Sequence, residues 1–386
     1  RHVLERIEHY LIHNNANQGG AFRTSVESDK VLDECHLAMA DLLNAKSSQE
    51  IIFGPNMTSL TFSISRSIGR LLKSGDSIML TRMDHDGNIG PWLHLANDLN
   101  LNVNWLNFDQ ETYEYDLEDA QNIFKNNDIK LAAINYASNC LGTINNVKAL
   151  SEMAHESETL VFVDAVQYVP HCPTNVQDIG CDFLACSPYK FFGPHQGVLW
   201  GKIDLLEKLD AYKVRPAENS SPSKFETGTQ LHEGQAGTLG AIEYLEWIGQ
   251  TMCNEYKPNS IETSVRRQSL HFAMQAIQEY EQKLSIRLIE GLQNLPGVVI
   301  KGISSKNDLS RRVPTVSFIV KNKDPRDISS KLAKQNIFVW HGHNYALEAV
   351  RLMGLEGLGG VVRIGPVHYN TIDEIDFTLE VLKKCF

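Results

Sequence analysis

Two apolar runs in this chain end in side chains that could share one cofactor. Leu160-Val-Phe-Val-Asp164-Ala-Val-Gln167 reads as a buried strand closing on a carboxylate and an amide. Cys181-Asp-Phe-Leu-Ala-Cys-Ser187-Pro-Tyr189-Lys190 reads as a second strand closing on hydroxyls and an amine. A carboxylate at the end of a buried strand is costly unless something pairs with it. A lysine amine forms a Schiff base with a carbonyl compound. Pyridoxal phosphate (PLP) uses both groups, its aldehyde taking the lysine and its pyridinium nitrogen the carboxylate. Lys190 and Asp164 are therefore the candidate catalytic pair, with Lys190 also the proton shuttle once a substrate amine displaces it.

Other residues suit the remaining parts of such a ligand. Gly54-Pro-Asn56-Met57-Thr58 joins a strand to a helix, where free backbone N–H groups and the helix dipole favour a phosphate. The same turn is equally readable as ordinary capping. Ser187 and Tyr189 flank Lys190 with hydroxyl donors, and Glu226-Thr-Gly228-Thr229 offers another donor pair. His85 follows a strand and could stack on a flat ring, although an isolated histidine is more often structural. Asn139, in a turn, and Gln167 suit a phenolic oxygen or the substrate, ordinary turn chemistry being the alternative for Asn139. Arg363 lies inside the apolar run Val361-Val-Arg363-Ile, where its fork matches a substrate carboxylate or a structural ion-pair partner.

These residues need strands and turns to hold them. Candidate strands are Glu50–Phe53, Ser77–Thr81, Asn102–Leu106, Lys130–Asn135, Thr159–Asp164 and Asp182–Cys186, alternating with amphipathic stretches. Leu60, Ile64, Ile68, Leu71 and Leu72, for example, recur at helical spacing. That alternation predicts an α/β fold with a mainly parallel sheet, whose ligands gather at the carboxyl ends of the strands. Gln250–Ser260 reads as a loop and Ile261–Leu292 as a long helix linking two domains. A small α+β unit follows: strand Thr315–Val320, helix Asp327–Gln335, strands Ile337–Trp340 and Val361–Ile364, helix Thr371–Lys384. The expected domains are 1–255 and 256–386, with the N-terminal segment packing on the smaller. Gly354–Gly360 reads as a flexible loop able to close over a ligand, and Asn14–Thr24 as a lining of the entrance.

With 386 residues, 42% hydrophobic and 22% charged, the chain has the composition of a globular protein with a large core. No apolar run approaches the ~20 residues of a membrane span. A net charge of −11 without a long basic run argues against nucleic acid as a partner. Seven cysteines fit no common zinc spacing, so no metal site is expected. Reduced thiols and no leader after Arg1 predict a cytoplasmic protein.

Together the motifs resemble fold-type I PLP enzymes of the class V aminotransferase family, in the cysteine desulfurase and selenocysteine lyase-like branch. The matching residues run in order: Asp84-His85, Ser138-Asn139-Cys-Leu-Gly-Thr143, Asp164-Ala-Val-Gln167, Ser187-Pro-Tyr-Lys190, Phe225-Glu-Thr-Gly-Thr229 and Val362-Arg363. The resemblance implies a large domain with a seven-stranded sheet and a small C-terminal domain. It implies that Lys190 carries the cofactor, Asp164 meets its nitrogen and His85 stacks on its ring. Gln167 and Asn139 would contact its phenolic oxygen and the substrate, and Arg363 the substrate carboxylate. Ser187, Tyr189 and Asn56–Thr58 would hold the phosphate. Thr229, next to Gly228, would reach the phosphate of a neighbouring subunit, implying a homodimer with shared sites.

Three departures from the family pattern stand out. Tyr189 occupies the position before the lysine where the family commonly has His, and Pro55-Asn56 replaces a double Thr. Desulfurases carry a nucleophilic Cys on a mobile loop shortly before the carboxylate-binding Arg, whereas residues 341–362 contain none. Sulfur transfer needs a thiolate. The expected function is therefore a carbon–sulfur β-lyase acting on a small amino acid. Cysteine desulfurase, aminotransferase, epimerase and a PLP-binding regulatory protein are the alternatives.

Overall fold

Alternation along the short apolar runs builds a sheet buried on both faces. The computed structural model describes residues 1–252 and 264–385. Seven strands form the first sheet: β1 Ile51–Gly54, β2 Ser77–Thr81, β3 Asn102–Leu106, β4 Ile129–Asn135, β5 Leu160–Asp164, β6 Phe183–Cys186 and β7 Gly197–Gly201. Their order is β1-β7-β6-β5-β4-β2-β3, and only β7 runs against the rest. Val161 and Val163 face one hydrophobic layer, while Phe162 between them faces the other, beside Trp92 at 5.2 Å and Phe183 at 6.4 Å. Period-two alternation thus feeds two helical layers from one strand.

The second sheet is antiparallel, in the order β10-β11-β9-β8, with β8 Val298–Lys301, β9 Val316–Val320, β10 Trp340–Gly342 and β11 Val361–Ile364. Val362 and Ile364 pack into a core shared with the helices Val265–Gln293, Pro325–Ala333 and Ile372–Lys383. Arg363, between them, projects to the opposite side, towards the first sheet, and its Nη1 donates to the Asn139 carbonyl at 2.7 Å. The N-terminal helix His2–His9 packs along the helix His232–Met252, where Arg6 Nε donates to Glu243 at 2.9 Å.

Several expectations need correction. Strands β7 and β8 were not foreseen: Gly-bounded Gly197–Gly201 and half-exposed Val298–Lys301 are short and carry weak alternation. The strand expected at Ile337–Trp340 forms instead at Trp340–Gly342, paired to β11 through Gly342 opposite Val361. Gly360 (φ +80°) makes that approach possible, because a Cβ there would meet the Gly342 backbone at 2.3 Å. Gln250–Met252 continue a helix rather than open a loop, and the rest of that expected loop, with Ile261–Thr263, lies outside the described residues.

Candidate active site

The carboxyl ends of the parallel strands converge on a cavity of about 620 Å³. Asp164 ends β5 and stands opposite Asn135 of β4 and Ala185 of β6. Lys190 lies in the short turn Pro188–Phe191 after β6, closed by Lys190 N–H to Ser187 O at 3.0 Å and Gly193 N–H to Pro188 O at 2.9 Å. Both side chains line the same cavity, as do Asn56, Met57, Thr58, His85, Asn139, Gln167, Ser187, Tyr189 and Arg363. Gly228 and Thr229 are not among its lining residues. Glu226 ties their segment to β1 by accepting from Phe53 N–H at 2.6 Å, and Thr229 itself faces solvent.

Three charged groups in this cavity lack an opposite charge in salt-bridge contact among the described residues. Asp164 is 6% exposed and accepts one short bond, from Val166 N–H at 2.9 Å. Burial pushes its carboxyl up to about 6, against the pull of Val166 N–H and Lys190. Burial and the Arg363 charge lower the proton affinity of Lys190, with Asp164 opposing them. Burial likewise lowers that of Arg363, which meets the Asn139 carbonyl but no carboxylate. Desolvated charges without partners are expensive, so a ligand carrying a cationic centre and a carboxylate fits the site.

The walls fit the rest of PLP. Asn56 Oδ1 caps the helix Met57–Gly69 through Ser59 N–H at 2.8 Å, so one turn both caps the helix and lines the cavity. The Met57 and Thr58 N–H groups precede the first intrahelical bond, and both residues line the cavity. His85 Nδ1 accepts from Gly87 N–H at 2.9 Å. Burial, with Lys190 and Arg363 nearby, holds the His85 imidazole down at about 4, so the ring is neutral. Asn139 donates through Nδ2 to Asn344 O at 2.7 Å, while its Oδ1 is buried without a partner. That orphaned acceptor is a further group a ligand would satisfy.

Asp164 carries a stability consequence. A carboxyl whose folded value lies above its unfolded value favours the folded state only while protonated. Its burial therefore costs nothing below about pH 4 and the full amount above about pH 6. The Asp164→Asn variant, free of cofactor, is expected to be more stable than the parent by ~2–3 kcal/mol at alkaline pH and by little under acid conditions. Urea melts at two pH values check this; an equal difference at both would contradict it.

Gly197 carries another. A Cβ there would meet Asn56 C at 2.3 Å and Met57 N at 2.5 Å, so β7 can lie under the anion turn only with glycine. Gly197→Ala is expected to displace that turn and weaken cofactor binding by about tenfold, the scale of a tight overpacking. Fluorescence titration of the cofactor-free protein measures it.

Sequence reasoning missed one whole wall. Trp340, His341, Gly342, His343, Asn344 and Tyr345 line the cavity from β10 and the turn after it. Tyr345 stacks on His85 with centroids 5.4 Å apart, and its carbonyl accepts from Asp86 N–H at 2.7 Å. The available signal was the dense run of rings just past a strand. Gly354–Gly360 does not take that place: it forms a short turn outside the cavity lining. Nor do residues 14–24 line the cavity; they fold onto the start of the helix Arg23–Leu43, with Gly20 N–H to Ser25 Oγ at 2.8 Å.

An α/β fold of this topology, with a lysine and an aspartate on one cavity at the strand ends, defines a fold-type I PLP enzyme. The class-V aminotransferase family model matches residues 1–267 and 267–377. The chain belongs to that family, and PLP is its cofactor. It is 33% identical to the aminotransferase-like protein FGM3 of Gibberella zeae, over 98% of this chain and 89% of that protein. It is 28% identical to a probable cysteine desulfurase of Synechocystis, over 99% of this chain and 87% of that one. The apo structure of the cysteine desulfurase from Thermococcus onnurineus superposes with a TM-score of 0.87 at 28% identity, covering 99% of this chain and 90% of that one. Among the described residues no helix is long and apolar enough to cross a membrane.

Proposed function

We propose that this cysteine desulfurase-like enzyme is a carbon–sulfur β-lyase acting on S-substituted cysteines. The observation that carries the reading is a cavity with Lys190, Asp164 and Arg363 on its walls and no cysteine among its described lining residues. Cys140 is the neighbour of Asn139, but it is fully buried, and burial pushes its thiol up to about 11. It is therefore a poor source of the thiolate that sulfur transfer requires.

PLP, when bound, supplies an aromatic ring that accepts electrons from the substrate α-carbon. Lys190, its proton affinity lowered by burial and Arg363, takes the α-proton. Asp164 supplies the anion for the ring nitrogen, and neutral His85 offers an uncharged face. Arg363 takes the substrate carboxylate in two-point contact. The β-carbon–sulfur bond breaks with its electron pair leaving on sulfur, which is protonated to a thiol. The three-carbon remainder takes up water and ends as pyruvate and ammonia.

The names of the relatives favour desulfuration as the second reading. The two differ in products. Incubation with S-substituted cysteines is expected to release pyruvate and ammonia in equal amounts. Alanine formed from cysteine, with sulfide released once a thiol reductant is supplied, would instead establish a desulfurase, an amino-group acceptor requirement a transaminase, and racemised substrate an epimerase. Binding of PLP without any turnover would leave a regulatory protein.

The same reading places the enzyme in the cytoplasm as a homodimer, with solvent-facing Thr229 and Gly228 reaching the phosphate held by the neighbouring subunit. It also divides the chain into a large domain, 1–255, and a small one, 256–386.

A further inference from the structure

Behind Gln167 lie two buried ionisable residues that the chemistry above does not use. The chain leaving β5 coils tightly, with His171 N–H to Tyr168 O at 3.0 Å and Cys172 N–H to the same oxygen at 3.1 Å. Gln167 and His171, four apart, therefore meet on one side, with Gln167 Nε2 at 3.3 Å from His171 Nε2. The same Gln167 nitrogen donates to Thr315 Oγ1 at 2.9 Å. On the far side of the imidazole, His171 Nδ1 lies 2.8 Å from Glu281 Oε2. The other Glu281 oxygen accepts from His368 N–H at 3.0 Å. His171 is 6% exposed and Glu281 2%.

Hydrogen-bond logic fixes the direction of this chain. Burial works against a charge on Glu281, but the contacts with His171 and His368 outweigh it and hold its carboxyl below the ordinary range. A carboxylate only accepts, so the proton sits on His171 Nδ1. Nε2 of the neutral ring is then an acceptor, which matches the Gln167 nitrogen facing it. Both amide hydrogens of Gln167 are spent inward, on His171 and Thr315. The Oε1 atom is what remains for the cavity that Gln167 lines.

We propose that Glu281 and His171 are positioning residues that set the orientation of the Gln167 amide. The wall presents an acceptor while the ring proton of His171 sits on Nδ1 and a donor when it sits on Nε2. In the second state Nε2–H needs an acceptor, and the amide must turn its oxygen inward. An acceptor suits a ligand hydroxyl, and a donor suits a ligand oxyanion. The ring hydroxyl of PLP exists in both forms, so the inference rests on the reading of Gln167 as part of the cofactor-binding wall.

Among the described residues, Cys172, Arg312 and His368 do not compete for Nε2. Cys172 is buried and its thiol is pushed up, so it stays neutral. Arg312 and Glu279 share with His171 and Glu281 the lining of a second cavity, of about 180 Å³. The Arg312 guanidinium is spent on the carbonyls of Ile303 and Thr315. His368 meets Glu281 through its backbone N–H, with its ring Nδ1 3.8 Å from the same carboxylate oxygen, and its Nε2 pairs with the Tyr244 hydroxyl at 2.8 Å.

Two measurements test this. The first uses cofactor-free protein with isotope-labelled histidine, the His171 signal being the one lost in His171→Asn. Nitrogen chemical shifts near neutral pH are expected to place the proton on Nδ1, with Nε2 unprotonated; a proton on Nε2 overturns the proposal. The second follows the visible absorption of the PLP-loaded protein against pH. Glu281→Gln removes the charge that fixes the tautomer, and is expected to move the spectral midpoint by about one pH unit, with full cofactor loading. Glu281→Asp, which keeps the charge, is expected to return the midpoint towards the parent value. An unmoved midpoint in a folded, fully loaded Glu281→Gln protein overturns the proposal. If the parent protein took up no PLP, the cofactor reading would fail, and the tautomer measurement would still decide this one. It also decides alone if the variant does not fold.

Discussion

Replacing Lys190 with alanine is expected to abolish the visible absorption of covalently held cofactor and to lower turnover by about 10⁴-fold or more. Among the described residues lining the cavity, Lys190 offers the only primary amine. On the proposed reading, both the covalent attachment of PLP and the proton transfer at the substrate α-carbon fall on one atom. The turn that carries it is closed by backbone bonds to the Ser187 and Pro188 carbonyls, so truncation of the side chain leaves the scaffold in place. PLP itself can still be held through the anion turn at Asn56–Thr58 and by Asp164. The variant should thus bind cofactor reversibly, removable by dialysis, with the spectrum of the free aldehyde. A parent-like spectrum in this variant would remove the assignment.

Arg363→Ala carries the second large effect. The Arg363 side chain leaves the β11 face opposite Val362 and Ile364, pays for its burial with one protein hydrogen bond to Asn139 O, and meets no carboxylate. A charge-assisted, two-point contact with a substrate carboxylate is stronger than an ordinary hydrogen bond. Its loss is expected to lower kcat/KM for amino-acid substrates by about 10²-fold while PLP loading stays complete. Arg363→Lys should recover only part of this, because a point charge cannot reproduce the planar fork. An unchanged kcat/KM would place the carboxylate elsewhere; lost PLP loading would mean that Arg363 serves the cofactor instead.

The sequence made the central strands legible because their alternation is strong and their ends carry polar residues with little reason to be buried. β2, β3 and β11 fall on the expected residues, and Asp164, Lys190, His85 and Arg363 meet at one cavity although they are distant along the chain. What failed depended on tertiary pairing. β10 is three residues long and exists because Gly342 and Gly360 allow close approach to β11, which no local pattern announces. The Trp340–Tyr345 wall was lost with it. The Glu281–His171–Gln167 chain joins a helix to a turn that lies far away in sequence, and a buried glutamate in an amphipathic helix gives no local sign of its partner. Ambiguous single residues became readable only in company: Asn56 is an ordinary cap and also part of the cavity wall.

The central claim, that Lys190 and Asp164 serve one PLP molecule, is tested most directly by finding where the cofactor attaches. Borohydride reduction of the PLP-loaded protein, followed by proteolysis and mass spectrometry, fixes the pyridoxyl group to its lysine. The predicted result is one modification per chain, on the peptide containing Lys190, and a sharply reduced yield in Asp164→Ala. Labelling of a different lysine, or none in a protein that has taken up PLP, would contradict the account.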